Sequence, residues 1–205
     1  MADLLLRLPT WFMIRAAGIA SFCLITIGMA IGISHNFGFW PRGSKRRLYR
    51  LHAFFTVAGT AVGLLHGSVT VIDTYTPYSW FGLLVPFGSS YEPALSGLGT
   101  LSGYGLLLVI LTTDLRNKLK RPVWLALHLL SYPVFFLALV HGFFLGSDSG
   151  APALRLVYGF AFVLLLGLTA VRGSMNKSAK DAEPQVAIIP PPAKRSALRD
   201  HAPRP

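Results

Sequence analysis

The sequence is poor in charge. Only 13% of its residues are Asp, Glu, Lys or Arg, about half the share of an ordinary soluble domain and too few to cover a water-facing surface. Acid is scarcest: eight Asp and Glu stand against 19 Lys and Arg, for a net charge of +11. There is one cysteine, Cys23, inside the first apolar block. It excludes an internal disulfide and a thiolate metal cluster, and reads as a small packing residue. No stretch alternates apolar and polar residues over strand length, so nothing supports a β-barrel. No Gly-rich loop follows a strand pattern, so these residues show no nucleotide-binding motif for a flavin or nicotinamide domain. The first ten residues carry one basic residue, Arg7, and no small-residue cleavage site follows, so the first apolar block is expected to be retained rather than removed as a signal.

What the chain does have is apolar runs, each near the 20 residues that a helix needs to cross a bilayer. Five are predicted as spanning helices: roughly 11–33, 51–72, 94–113, 123–146 and 154–171. They must be helical, because lipid offers no partners to backbone N–H and C=O groups. The predicted fold is therefore an all-α integral membrane bundle of about five transmembrane helices over residues 1–172. The stretch from 173 to 205 turns polar, charged and proline-rich, and is expected to be a disordered cytoplasmic tail. His201 falls in that tail and outside any site. The loop 73–93 holds Tyr75, Tyr78, Trp80, Phe81 and Tyr91, aromatics suited to the headgroup region. Within it, 80–87 is apolar but too short to span, and reads as an interfacial or re-entrant segment or as a loop packed over the bundle.

The positive charge is segregated, which argues against nucleic acid as a partner. Arg42, Lys45, Arg46, Arg47 and Arg50 lie between the first two spans; Arg116, Lys118, Lys120 and Arg121 between the third and fourth; Arg172, Lys177 and Lys180 after the fifth. The alternate loops carry Asp73, Glu92 and Asp148 instead. Basic loops mark the cytoplasmic side. The expected placement is a multi-pass protein of the cell membrane, surrounded by lipid, with its N-terminus outside and its C-terminus inside.

Ionisable side chains within a membrane span are costly and call for a reason. His52 and His66 lie 14 apart on the second span, His128 and His141 13 apart on the fourth. At 1.5 Å per residue each spacing is roughly 20 Å, which puts one histidine toward each face of a core of about 30 Å. Both spans run from inside to outside, so His52 and His128 share an inner level and His66 and His141 an outer one. Imidazole suits iron, and histidine is a standard axial ligand of heme. Two b-type hemes are the leading reading. A zinc or copper site would gather its ligands at one depth. A heme-free transporter or proton pathway would call for an acid within the helices, whereas Asp73, Asp114 and Asp148 sit at helix ends. On an ideal helix His52 and His66 share a face, but His128 and His141 fall about 140° apart, with Pro133 between them as a candidate kink. Gly59, Gly63 and Gly67 on the second span and Gly97, Gly99, Gly103 and Gly105 on the third suit either a flat cofactor or ordinary close packing.

This pattern, His-x13-His on one helix and His-x12-His on a later one, resembles the ferric reductase-like transmembrane domain, which includes ferric reductases and the membrane half of NADPH oxidases. Trp-Phe-Met-Ile-Arg-Ala-Ala-Gly at 11–18 is similar to the opening of bacterial members. The run from Arg121 through His-Leu-Leu-Ser-Tyr to His-Gly-Phe-Phe-Leu-Gly-Ser-Asp resembles their second heme helix. The resemblance covers about 11–171. It implies a cytochrome b-like conduit, an oxidoreductase component that moves electrons one at a time across the membrane. His52 with His128 would hold the inner heme iron, and His66 with His141 the outer. Arg15 would approach the outer heme propionates or the electron acceptor; snorkelling to the headgroups is its plainer role. The family commonly has one more helix. Without a flavin domain of its own, the chain would draw electrons from a cytoplasmic flavoprotein or from quinol. The acceptor outside would be ferric iron, oxygen or a protein. A closely similar alternative is the heme subunit of the periplasmic methionine sulfoxide reductase system, which feeds a separate extracytoplasmic enzyme. The basic loops would suit an acidic donor, although topology and lipid contact already account for them.

Overall fold

The computed structural model describes residues 9–73 and 78–181, with side chains through 175. The fold is 80% helical, with no strand among the described residues. Its helices are α1 (Thr10–Ser34), α2 (Arg42–Ile72), the short α3 (Trp80–Leu84), α4 (Pro93–Asp114), α5 (Arg121–Leu129), α6 (Ser131–Leu145) and α7 (Pro152–Asp181). Five segments are long and apolar enough to span a membrane, α5 and α6 together forming one of them. This is the all-α membrane bundle expected from the apolar runs. Phe54, Phe144, Leu156 and Phe160 are each 64–72% exposed, a surface that suits lipid and would drive association in water.

The spans agree with hydropathy at their apolar centres and depart from it at their ends. α2 starts at Arg42 rather than near Leu51, so five of its first nine residues are basic. Its 31 residues make a rod of about 46 Å, well beyond the roughly 30 Å of hydrocarbon. Hydropathy marks where lipid ends, and the hydrogen-bonded helix continues past that point. α7 likewise runs on to Asp181, into the stretch expected to be tail; residues 182–205, with His201, lie outside the described residues, as do Arg7 and Tyr75. The fourth span is not one helix. It breaks at Leu130, whose N–H bonds back only three residues to the Leu127 carbonyl at 3.2 Å. Pro133 explains the site of the break: it has no N–H for the Leu129 carbonyl, and its ring crowds that group.

α1 lies at the centre, packed along α2 and also touching α6 and α7. The buried core joins α1, α6 and α7 through Phe22, Ile25, Met29, Phe135, Tyr158 and Leu165. Phe22 stacks on Phe135 with ring centres 5.4 Å apart and meets Tyr158 at 4.7 Å. α4 packs along α6. The segment 80–87 folds back over the bundle: Thr100 donates to the Leu83 carbonyl at 2.9 Å, and Tyr104 donates to that of Leu84. Phe87 closes this turn with φ 65°, a left-handed backbone that a bulky residue rarely takes. At the basic end of the bundle Arg116 donates to the Tyr49 hydroxyl at 2.9 Å and lies over its ring. The two basic segments are thereby joined.

Candidate functional site

The α1–α2 seam is built from small residues in fixed register. Gly18, Ser21, Ile25, Gly28 and Gly32 of α1 face His66, Gly63, Gly59, Thr56 and His52 of α2 in turn. A Cβ on Gly28 would come 2.8 Å from Thr56, and one on Gly59 2.7 Å from Ile25, so the backbones touch. Ser21 donates its hydroxyl to the Gly59 carbonyl at 2.8 Å. The steps along α1 alternate between three and four residues, the heptad spacing of helices that keep one seam facing a partner. Fourteen residues are two heptads, so His52 and His66 return to the same face with none of the drift of an ideal straight helix.

Each of these histidines is seated in the same way. His66 Nδ1 donates to the Ile14 carbonyl at 2.8 Å, and its ring edge lies 3.1 Å from where a Cβ of Gly18 would stand. His52 Nδ1 donates to the Gly28 carbonyl at 2.7 Å, and its ring edge is 2.8 Å from the Cβ position of Gly32. The seat is a carbonyl at one position and a glycine four residues later. It occurs twice on α1, 14 residues apart. α4 supplies a third: His141 Nδ1 donates to the Leu95 carbonyl at 2.8 Å, and its ring would meet a Cβ on Gly99 at 2.6 Å. A carbonyl can only accept, so in all three rings Nδ1 carries the proton and Nε2 keeps its lone pair. None of the four Nε2 atoms has a hydrogen-bond partner among the described residues.

The fourth seat departs from this pattern. Two heptads beyond Leu95 and Gly99 on α4 stand Val109 and Thr113. Thr113 gives its hydroxyl proton to the Val109 carbonyl at 2.6 Å, and its oxygen faces His128 Nδ1 at 3.4 Å. Thr113 therefore occupies the glycine position and stands between the carbonyl and the imidazole.

These seats bring the histidines together in two pairs. The His52 and His128 ring centres lie 6.3 Å apart with planes at 74°. Those of His66 and His141 lie 6.2 Å apart at 77°. The 13-residue spacing thus puts both rings of the fourth span onto α2, one from each side of the break at Leu130. The His52–His128 pair sits toward the basic end and the other pair toward the opposite end, with the Phe22–Phe135 stack at mid-depth between them.

The opposite-end pair opens onto a cavity of about 320 Å³ whose walls include Arg15, Gly18, Gly99, Tyr158 and Asp148. The Arg15 guanidinium pairs with Asp148 through Nε and a terminal nitrogen, with 39% of the arginine side chain exposed. At the basic end Trp124 stacks on His128, ring centres 5.3 Å apart. Its indole N–H is buried without an acceptor among the described residues, and Arg172 lies within electrostatic reach of the same histidine. Among the described residues no three or more His, Cys, Asp or Glu gather as a metal cluster, and each histidine pair stands without a third side-chain ligand. Asp73 is buried at the end of α2, where it accepts from Thr10 at 2.6 Å, and Asp114 ends α4.

The residues that sequence reasoning missed are the seats: Gly18, Gly32, Thr113 and the orphaned indole of Trp124. A signal for the first two is present, since Gly18 and Gly32 share the 14-residue spacing of His52 and His66. A scan against protein-family models found no match, and neither did searches of curated proteins and of solved structures.

Proposed function

We propose that this protein carries electrons across a membrane through two b-type hemes, one held by His52 and His128 and the other by His66 and His141. The observation that carries the reading is the geometry of the two pairs. A metal–nitrogen bond of about 2 Å on each side, with about 1 Å from nitrogen to ring centre, puts two facing imidazoles roughly 6 Å apart. The pairs stand at 6.3 and 6.2 Å. Outward-facing Nδ1–H donors are the usual support of metal-ligating histidines. An ion with only two protein ligands needs its others from a non-protein group, and a porphyrin supplies four. Its carboxylates would also give the buried Trp124 N–H an acceptor and Arg172 a counter-charge. Heme, when bound, supplies reversible one-electron chemistry. The chain's own residues fix the ligand tautomers, keep the two levels about 20 Å apart along α2 and fill the space between them with the apolar Phe22–Phe135 core.

The resemblance to ferric reductase-like domains supports the same reading. The loop charges support an N-terminus outside and a C-terminus in the cytoplasm, which makes His52–His128 the inner pair. The donor is then a cytoplasmic flavoprotein or quinol, and the acceptor, outside, is ferric iron, oxygen or a redox protein such as a methionine sulfoxide reductase. Arg15 lines the same cavity, and in this reading it meets an anionic group there, with Asp148 holding its guanidinium. A proton pathway is less well supported, since Asp148, the acid on the cavity wall beside His66 and His141, is engaged by the Arg15 guanidinium.

The test is electron transfer across a sealed bilayer. Proteoliposomes with reductant enclosed should reduce a membrane-impermeant ferric chelate outside, and His52→Ala or His66→Ala should abolish it. Equal rates in protein-free vesicles and in both variants would refute the proposal.

A further inference from the structure

Three of the four imidazoles donate directly to a backbone carbonyl at 2.7–2.8 Å. The fourth does not. At His128 the equivalent carbonyl, of Val109, is engaged by the Thr113 hydroxyl at 2.6 Å, so that hydroxyl has no proton left to donate and can only accept from Nδ1–H. It does so across 3.4 Å, beyond the usual range for an N–H···O bond. Sequence position shows this to be a substitution within a repeat rather than a different architecture: Leu95 and Gly99 recur two heptads on as Val109 and Thr113.

We propose that Thr113 is a positioning residue that makes the two metal sites electronically unequal, holding the His52–His128 site at a higher potential than direct carbonyl anchoring would. The inference rests on the two-heme reading and deepens it. A strong Nδ1–H···O=C bond pushes electron density onto the ring and makes Nε2 a more basic ligand, which favours the oxidised metal. A long bond to a hydroxyl oxygen, itself tied up as a donor, does so less. The basic-end site is then the easier one to reduce, which suits the end that receives electrons. The driving force for the next, outward step is correspondingly smaller.

The inference is tested by potentiometric titration of the purified heme-loaded protein, with the basic-end transition assigned as the one lost in His52→Ala. Thr113→Val keeps the shape and removes the acceptor, so this transition should move up. Thr113→Gly recreates the glycine of the other three seats and removes the 2.6 Å hydroxyl bond from the Val109 carbonyl, leaving the longer one from Thr112 at 3.2 Å, so it should move down. Thr113→Ser should leave it in place, and the other transition should stay put in all three variants. Shifts of the same sign in the Val and Gly variants, or equal movement of both transitions, would overturn the inference. So would a protein that binds two hemes whose basic-end potential ignores all three changes. A wild-type protein that binds no heme would overturn the two-heme reading as well, so the two failures are distinguishable.

Discussion

The two halves of the bundle meet one geometric demand in different ways. In the α1–α2 half, both helices are continuous, and Gly18 with Gly32 and His52 with His66 are separated by two heptads. Nothing needs to bend, because fourteen residues return to the same seam. In the α4–α6 half, α4 keeps the fourteen-residue repeat, but His128 and His141 are thirteen apart. One residue of deficit turns a ring by roughly 100°, so the helix has to break, and it breaks at Leu130, just ahead of Pro133. The contrast shows that equal depth and equal facing are separate requirements. Depth follows from counting residues, whereas facing follows from the seam or, where the count is wrong, from a break in the helix.

The largest way to break this comparison is to remove a ligand from either half. His66→Ala and His141→Ala should each take the heme content from about two per chain to about one, leaving the basic-end site in place, as a heme-to-protein ratio would report. Equal loss of both hemes in a folded variant would contradict the pairing by depth. Next come the glycine seats, whose clearances rank them: 2.6 Å at Gly99, 2.8 Å at Gly32 and 3.1 Å at Gly18. Overpacking costs about 1–3 kcal/mol, and an alanine at each should weaken heme retention in that order, measured as loss to a heme-scavenging protein. An inverted order would show that the rings are not seated on these residues.

Pro133→Ala sharpens the contrast between the halves. It restores an N–H for the Leu129 carbonyl and favours a continuous fourth span. The His128 and His141 rings should then swing apart, and one ligand of the fourth span should be partly lost, seen as high-spin signal in the absorption or electron paramagnetic resonance spectrum. The corresponding exposed-face change Phe54→Ala on continuous α2 should leave the spectrum unaltered. The smallest effect is expected at Arg15. Arg15→Ala removes the partner of Asp148 and should shift the potential of the His66–His141 site or slow acceptor reduction while leaving heme content unchanged. No change in either would return Arg15 to an anchoring role.

The spans were legible in the sequence because lipid imposes one rule on every residue that it touches, and the pairing of the histidines by depth was read from their spacing together with the direction that the loop charges give each span. Helix ends were not, because Arg42 to Arg50 and Gly173 to Asp181 continue a hydrogen-bonded helix after hydropathy has fallen away. The histidine seats were hidden for another reason. Gly18 and Gly32 acquire meaning only when α1 is laid against α2 in register, and Thr113 only when it is seen to occupy the position that Gly99 holds two heptads earlier. Gly59 and Gly63, singled out as room for a flat cofactor or for packing, belong to the α1–α2 contact, and Gly99 is the seat of His141. The 140° mismatch on the fourth span was correct arithmetic for an unbroken helix; the helix is broken.

The most direct measurement is the reduced-minus-oxidised absorption spectrum of the purified protein, taken with a heme-to-protein ratio. The account predicts b-type bands from low-spin, six-coordinate heme at about two per chain. A folded protein purified from heme-replete cells with no b-type signal would contradict it.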